Sequence, residues 1–582
     1  MSARACFRIV KARLLAAVVL FACCTQAAWA VDRQAFTFTH YDLHVVLDPA
    51  KQGMEVRGKV TVRNDSNVAQ RQVVLQISST LAWQSITVGG NALQWLGQEY
   101  TSDIDHAGSL SEAIVTLPEP IAPRATATLD LEYGGAVPRV STRLTRIGTP
   151  EELATRSDWD QIGETFTAVR SVGYVTWFPV SMDAVSLSDG TAVFDALAAW
   201  KHRHGSTVLE VAIAPRPGVS VASNADAVAD GQAGATKLTF RGLAAHVPTF
   251  VIAAFQSLER PAVSISHLAE HTSLARDYAV AAEKQAPAII DWFGPQREKL
   301  RIIELPDLTT APFDTGAFLF TPLRQMDPAG LQLTVAHQLV HTSFVSNRSW
   351  IQEGTAHLMQ VVTREQQAGR AESLRYLDQF QPQLVQVEKA ALAPADAANQ
   401  GQMQPQPLAS TNDELFYRSK AAFVWVMLRD LVGDDALKRA FAAYRADQDL
   451  QPGYVQSLLE APALAGQPKR DLEWFFDDWV YRDKGLPDFR IESAYARATL
   501  LKTYTVTVTV ENIGTATAEV PVLVRGKGGE RMARVRVPAK GRGVVRIPFP
   551  QEPIEVVVND GSVPEMNVDN NTFKIQTSAP SQ

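Results

Sequence analysis

The chain has 582 residues, of which 46% are hydrophobic and 20% charged, and its net charge at pH 7 is -7. This length is too great for a single hydrophobic core and predicts several globular domains. The acidic balance argues against a nucleic-acid-binding surface, which would be basic. We therefore expect no nucleic-acid partner.

The first thirty residues differ in kind from the rest of the chain. Four basic residues precede an apolar run at 14–24, and an Ala-Trp-Ala sequence ends at Ala30. This pattern is typical of a secretory signal peptide and predicts cleavage after Ala30, with a periplasmic or secreted product. All three cysteines lie in this segment, so the mature chain is predicted to have neither disulfides nor thiolate metal sites. No later run reaches the roughly 18 apolar residues of a membrane-spanning helix, so we expect no transmembrane anchor.

The remaining chain divides into three parts by the period of its apolar residues. Alternation with period two over about 36–258, as in Leu43, Val45 and Leu47, predicts a β-saddle or sandwich of many short strands. A helical period over about 264–487 predicts an α-rich part with one short strand at 300–305. Alternation returns after 488 and predicts an immunoglobulin-like β-sandwich.

These patterns predict a multidomain α+β protein. The predicted units are the signal peptide at 1–30, an N-terminal β domain at 31–258, an α-rich domain at 259–487 and a C-terminal β-sandwich at 488–582.

Three residues in the α-rich part have the types and spacing of a metal site. His337 and His341 are four residues apart, so both lie on one face of a predicted helix at 331–345. A polar turn and a second predicted helix at 350–366 would bring Glu353 level with His341, given 1.5 Å per residue. A histidine pair alone is more often found on a polar helix face, but two imidazoles with a carboxylate are the ligands of a catalytic zinc. The pattern therefore predicts one zinc ion.

These segments carry a resemblance to a known family. Residues 335–341 and 350–356 resemble the HExxH and WLNEGFA motifs of the membrane alanyl aminopeptidase family of gluzincin metallopeptidases. Residues 417–422 resemble its YxKGA helix, and 474–487 resemble the end of its catalytic region. The resemblance implies an N-terminal β-saddle, a thermolysin-like catalytic domain and a C-terminal sandwich. It also implies that Gly316, Ala317 and Phe318 stand in the strand that binds substrate.

The chain departs from this family at positions that carry the chemistry. Gln338 replaces the glutamate that acts as general base, and an amide has no useful basicity. Leu319 and Phe320 replace the residues that bind a substrate's amino terminus, and Gln360 replaces a glutamate that orients a zinc-binding histidine. Losing a positioned base typically costs about 10²- to 10⁴-fold in rate. Efficient peptide cleavage is therefore not expected.

Two further residues have open roles. The resemblance implies that Tyr417 stabilises the oxyanion of the tetrahedral intermediate, but it lies three residues before Lys420 instead of two, and a packing tyrosine is an equal alternative. His357 lies four residues after Glu353 and shares its helix face. It could act as a fourth metal ligand or as a replacement base, and the alternative is an ordinary, partly exposed helix histidine.

The sequence thus predicts a zinc-binding metallopeptidase homologue that is weak or inactive as a peptidase and binds a peptide or protein ligand. One alternative is an active zinc metallopeptidase that uses zinc-bound hydroxide with Tyr417. Another is a structural envelope protein. Whether the chain is an enzyme stays open at this point.

Overall fold

The structure is a computed structural model that describes residues 31–189, 192–229, 235–244, 246–392, 406–462, 468–527 and 529–575. The predicted signal peptide and its cleavage site lie outside these residues. The predicted fold class is confirmed, because β-sheets form both ends of the described chain and helices dominate its middle. None of the helices in the described ranges is long and apolar enough to cross a membrane.

The N-terminal part is built from three sheets. Its strands are β1 Phe36–Asp48, β2 Gly53–Asn64, β3 Gln70–Ser78, β4 Leu81–Val88, β5 Asn91–Ala92, β6 Gln94–Thr101, β7 Ser109–Ile121, β8 Thr126–Ala136, β9 Thr167–Arg170, β10 Val208–Ile213, β11 Ser220–Ser223, β12 Asp226–Ala229, β13 Thr236–Arg241 and β14 Thr249–Ala253. Eight of them form the sheet β12-β13-β10-β1-β2-β8-β4-β5, and the others form β3-β7-β6 and β11-β14-β9.

Apolar residues that alternate with polar ones in the sequence are the buried residues of the strands. In β1, Tyr41, Leu43 and Val45 are buried whereas Asp42 and His44 are exposed, since successive side chains of a strand point to opposite faces. The helices of this part are α1 Thr142–Arg146, α2 Glu151–Ser157 and α3 Ala192–Arg203, with a 3₁₀ turn at Pro49–Lys51.

The middle part contains a five-stranded sheet, and the prediction of a single strand there is wrong. The strands are β15 Gln256–Glu259, β16 Val263–His267, β17 Leu300–Glu304, β18 Phe313–Thr315 and β19 Phe318–Thr321, in the order β15-β16-β17-β19-β18. Most are too short to show a period in the sequence. Strand β19 runs parallel to β17 and antiparallel to β18, so β18 forms one edge.

Helices form the rest of the middle part, and the two at Thr272–Phe293 and Pro328–Ser343 pack on this sheet. The helices are α4 Thr272–Phe293, α5 Pro328–Ser343, α6 Ser349–Ala368, α7 Arg370–Asp378, α8 Gln381–Leu392, α9 Ala421–Val432, α10 Asp434–Ala443, α11 Tyr454–Glu460 and α12 Glu473–Phe476, with a 3₁₀ turn at Ala269–His271 and π-helical turns at Leu415–Lys420 and Asp477–Tyr481. Helix α5 begins where the side chain of Asp327 accepts hydrogen bonds from the backbone of Ala329 and Gly330. Helix α6 ends at Gly369, whose φ of 85° breaks the helical path.

The C-terminal part is a two-sheet sandwich. Its strands are β20 Phe489–Ala498, β21 Tyr504–Asn512, β22 Ala518–Gly526, β23 Gly529–Val537, β24 Gly541–Phe549, β25 Pro553–Val558 and β26 Thr572–Lys574, in sheets β20-β21-β24 and β23-β22-β25-β26. Its buried side chains, such as Val508 and Val522, join the same hydrophobic core as the helices of the middle part. The sandwich therefore packs directly on the domain that carries the predicted site.

Candidate metal centre

Helices α5 and α6 bring the three predicted zinc ligands together. The Nε2 atoms of His337 and His341 are 3.3 Å apart. Each also lies 3.5 Å from a carboxylate oxygen of Glu353. Donor atoms of a tetrahedral zinc site lie about 3.3 Å from one another when each is about 2.0 to 2.1 Å from the ion. The three separations are close to that value, with Oε2 of Glu353 beside His337 and Oε1 beside His341.

Close helix packing holds Glu353 in place. The next residue, Gly354, faces helix α9, and a Cβ there would come within 2.5 Å of Cδ1 of Trp425 and 2.9 Å of Cβ of Ala421. The indole N–H of Trp425 donates to the carbonyl of Trp350 at 3.2 Å, which ties the two helices together. A side chain at position 354 would force the two helices apart, next to Glu353.

Two charged residues that the sequence analysis did not single out complete the cluster. Asp314 on β18 offers a carboxylate oxygen, and the ligand atoms of Asp314, His337, His341 and Glu353 all lie within 4.8 Å of one another. Arg418 lies 3.4 Å from Glu353 through Nε and 3.5 Å from Asp314 through Nη2. The available signal for Asp314 was a lone carboxylate in a short, otherwise uncharged hairpin sequence.

The electrostatics of the cluster suit a divalent cation. Burial lowers the pKa of His341, which favours the neutral imidazole that binds metal. Burial opposes ionisation of Glu353, but the two imidazoles and Arg418 hold its pKa well below the usual range. Its Oε2 atom is buried and has no hydrogen-bond partner, the kind of vacancy that a metal bond satisfies. The donor set and its environment therefore fit zinc.

Gln338 follows His337 on helix α5. Its side chain is buried, and its Oε1 atom receives no hydrogen bond from the described residues. Gln352 supports the other side of the cluster. Its Nε2 lies 2.5 Å from Nδ1 of His341, and its Oε1 accepts a hydrogen bond from the backbone of Ser346 at 2.6 Å.

Gln360 serves a different histidine from the one that the resemblance implied. Its Oε1 lies 2.8 Å from Nδ1 of His357, and its Nε2 donates to the carbonyl of Leu333 at 3.2 Å. The ring of His357 packs edge-on against that of His337, with centroids 4.9 Å apart. Burial, followed by the charge of His337, lowers the pKa of His357 to about 3. His357 is not among the four converging ligand groups.

Tyr417 lies near the cluster but its hydroxyl is engaged elsewhere. It stands in the π-helical turn Leu415–Lys420, whose wider turn accommodates the additional residue before Lys420. The hydroxyl donates to Oε1 of Glu414 at 3.3 Å. Burial, followed by the charge of Glu414, raises the pKa of Tyr417, and the charge of Glu353 also contributes. The phenol is thus within electrostatic range of the site.

The segment predicted to bind substrate is not a free edge. Gly316 and Ala317 form the turn between β18 and β19, and Phe318 begins β19, which is paired on both sides. Gly316 has a φ of 59°, and a Cβ there would clash with the ring of His246, so the turn requires glycine. Leu319 and Phe320 are buried in β19. Strand β18 forms the edge of the sheet beside the histidines.

Comparison with solved structures finds similarity to an M1 zinc metallopeptidase from Deinococcus radiodurans. The two chains are 17% identical with a TM-score of 0.44, over 74% of this chain and 89% of that one. A mutant of the same metallopeptidase gives 16% identity and a TM-score of 0.43 over the same shares. No protein-family model and no curated protein matches the chain. At this level of similarity, the zinc and the activity in the names of those proteins describe those proteins and are not assigned to this chain.

Proposed function

We propose that the chain is a periplasmic or secreted, zinc-binding homologue of gluzincin metallopeptidases. It binds a peptide or protein ligand and cleaves peptides weakly or not at all. One observation carries the proposal: His337, His341 and Glu353 converge at zinc-ligand separations, while the neighbouring buried side chain is the non-basic Gln338.

The residues around the metal site explain why turnover is weak. Zinc bound there would polarise a carbonyl and acidify water. Hydrolysis also needs a group that takes a proton from water and gives it to the leaving amine. Gln338 can form a hydrogen bond but cannot accept that proton, and the hydroxyl of Tyr417 is directed to Glu414.

The site also lacks the usual anchor for a free amino terminus at the positions implied by the resemblance. Leu319 and Phe320 are apolar and buried in β19, so they offer no partner for an ammonium group. A ligand held at this site would therefore be recognised by contacts other than its amino terminus at these two positions.

The first experiment measures metal content. The chain purified without its first thirty residues should contain one zinc ion by elemental analysis, and His337→Ala should lose it. His357→Ala is the matched control, because its ring packs on His337 without joining the ligand group, and it should keep the metal. If the unmodified chain contains no zinc and His337→Ala does not change its stability, the zinc-binding proposal is refuted. The remaining alternative is then a structural role in the cell envelope.

The second experiment measures peptide hydrolysis with and without a chelator. We expect little turnover in the unmodified chain and an increase in Gln338→Glu, by up to the 10²- to 10⁴-fold typical of a positioned base. The double variant His337→Ala/Gln338→Glu should stay inactive. Chelator-sensitive cleavage at ordinary peptidase rates before any substitution would instead support the active enzyme that relies on Tyr417.

Localisation is tested independently. The exported protein should begin at Val31 when its amino terminus is sequenced. Retention of the first thirty residues in a cytoplasmic product would contradict the periplasmic or secreted location.

A further inference from the structure

Asp314 is a carboxylate that neither the motif nor the proposed chemistry uses. It lies in the middle of the edge strand β18, opposite Leu319 of β19. Its carboxylate oxygen is within 4.8 Å of the ligand atoms of His337, His341 and Glu353. The edge of the sheet thus presents a second acidic side chain to the two histidines.

The neighbours of Asp314 fix the direction of its side chain. Phe313 packs edge-on against Tyr174 of the N-terminal part, with ring centroids 5.3 Å apart. The hydroxyl of Thr315 accepts a hydrogen bond from the backbone of Val247 at 3.1 Å. Because side chains alternate along a strand, anchoring Phe313 and Thr315 to the N-terminal part turns Asp314 to the opposite side, where the histidines lie.

Arg418 holds the two carboxylates near each other. It contacts Glu353 at 3.4 Å and Asp314 at 3.5 Å, yet its buried Nε forms no hydrogen bond. At these distances the guanidinium group attracts both carboxylates without the short, directed hydrogen bonds of a close ion pair. Moving the carboxylate of Asp314 inward by about 1.5 Å, within reach of a side-chain rotation, would give it the donor separations of a tetrahedral zinc site.

We propose that Asp314 is the fourth protein ligand of the zinc site, so that two imidazoles and two carboxylates close the coordination sphere. This inference rests on the proposed function, since it requires zinc at His337, His341 and Glu353. With four protein ligands, water or a substrate carbonyl reaches the metal only by displacing one of them. The fourth ligand is therefore a second reason for weak turnover, beside the missing base at position 338.

The first test is zinc affinity, measured by competition with a chromophoric chelator. Asp314→Asn should weaken zinc binding by at least roughly 10- to 100-fold. A loss of that size is typical when a residue that only hydrogen-bonds to a metal ligand is replaced. Asp307→Asn is the matched control, since it removes a carboxylate that precedes the same strand and pairs with Arg139 at 2.9 Å. Equal affinity in Asp314→Asn and the unmodified chain would overturn the inference and leave the proposed function intact.

The second test asks whether a coordination position is open. The chain is loaded with cobalt and its visible spectrum is followed as azide is added. A closed site should leave the spectrum of the unmodified protein unchanged, whereas Asp314→Asn should respond to azide. A response before substitution would overturn the inference. Failure of the unmodified chain to bind either metal would instead refute the proposed function, so the two outcomes are distinguishable.

Discussion

The buried ion pair between Lys420 and Asp483 anchors the segment that carries Tyr417 and Arg418. The ammonium group lies 2.5 Å from Oδ1 of Asp483, and the two side chains are only 3% and 4% exposed. Asp483 Oδ1 also accepts a hydrogen bond from the backbone of Gly485, while its Oδ2 has no partner. The lysine is therefore the cation that offsets the buried charge of Asp483.

Replacing Lys420 by methionine should lower the free energy of unfolding by about 3 to 5 kcal/mol, the cost of removing one member of a buried pair. A second carboxylate adds to the cost. Burial, followed by the charge of Asp483, raises the pKa of Glu388, and Lys420 opposes that shift. The variant would leave both carboxylates without this cation.

Urea denaturation followed by tryptophan fluorescence measures the effect, and Trp479, whose ring is 5.7 Å from the ammonium group, is one of the 11 tryptophans of the chain. The control is the double variant Lys420→Met/Asp483→Asn, which should regain more than half of the loss because it leaves no charge stranded. A loss below about 1 kcal/mol, the size of an exposed pair, would refute the reasoning. So would a double variant no more stable than the single one.

Two further predictions concern packing and pH. Gly354→Ala should destabilise the chain by about 1 to 3 kcal/mol through overpacking against Trp425, and it should weaken zinc binding by displacing Glu353. Thermal denaturation measures the first effect and chelator competition the second. Unchanged values in either measurement would contradict the prediction. Burial raises the pKa of Glu565 to about 7, so its contribution to stability is greatest below about pH 4.5 and is lost as the pH rises to about 7, by about 3 kcal/mol. Glu565→Gln should flatten this dependence in urea denaturation at pH values between about 5 and 8, and an unchanged slope would refute the assignment.

The sequence predicted the convergence of three donor side chains, because local helix geometry decides it. The four-residue spacing of His337 and His341 requires only a helix, and Glu353 requires only that a second helix return along the first. The structure brings the three donors to 3.3 to 3.5 Å. Their types and spacing were sufficient because helical geometry is nearly independent of the rest of the fold.

The sequence could not predict the parts that depend on distant pairing. The position of Asp314 depends on a three-residue strand, on a turn at Gly316 with φ of 59°, and on contacts of Phe313 with the N-terminal part. No periodicity marks so short a strand. The pairing of this hairpin was equally hidden: Gly316 and Ala317 form its turn, Phe318 begins β19, and β18 forms the edge of the sheet.

Arg418 offsets the negative charge that this site carries without a metal. A buried carboxylate without a cation is strongly destabilising, and Glu353 is buried next to a second acid, Asp314. The guanidinium group lies within 3.5 Å of both and offsets their charge in the metal-free chain. Zinc would then join an already folded site and bring an additional positive charge, and Arg418 would contact the outer oxygens of the carboxylates. Arg418 would therefore serve the cluster both with and without zinc, and neither role requires the proton transfer that Gln338 cannot perform.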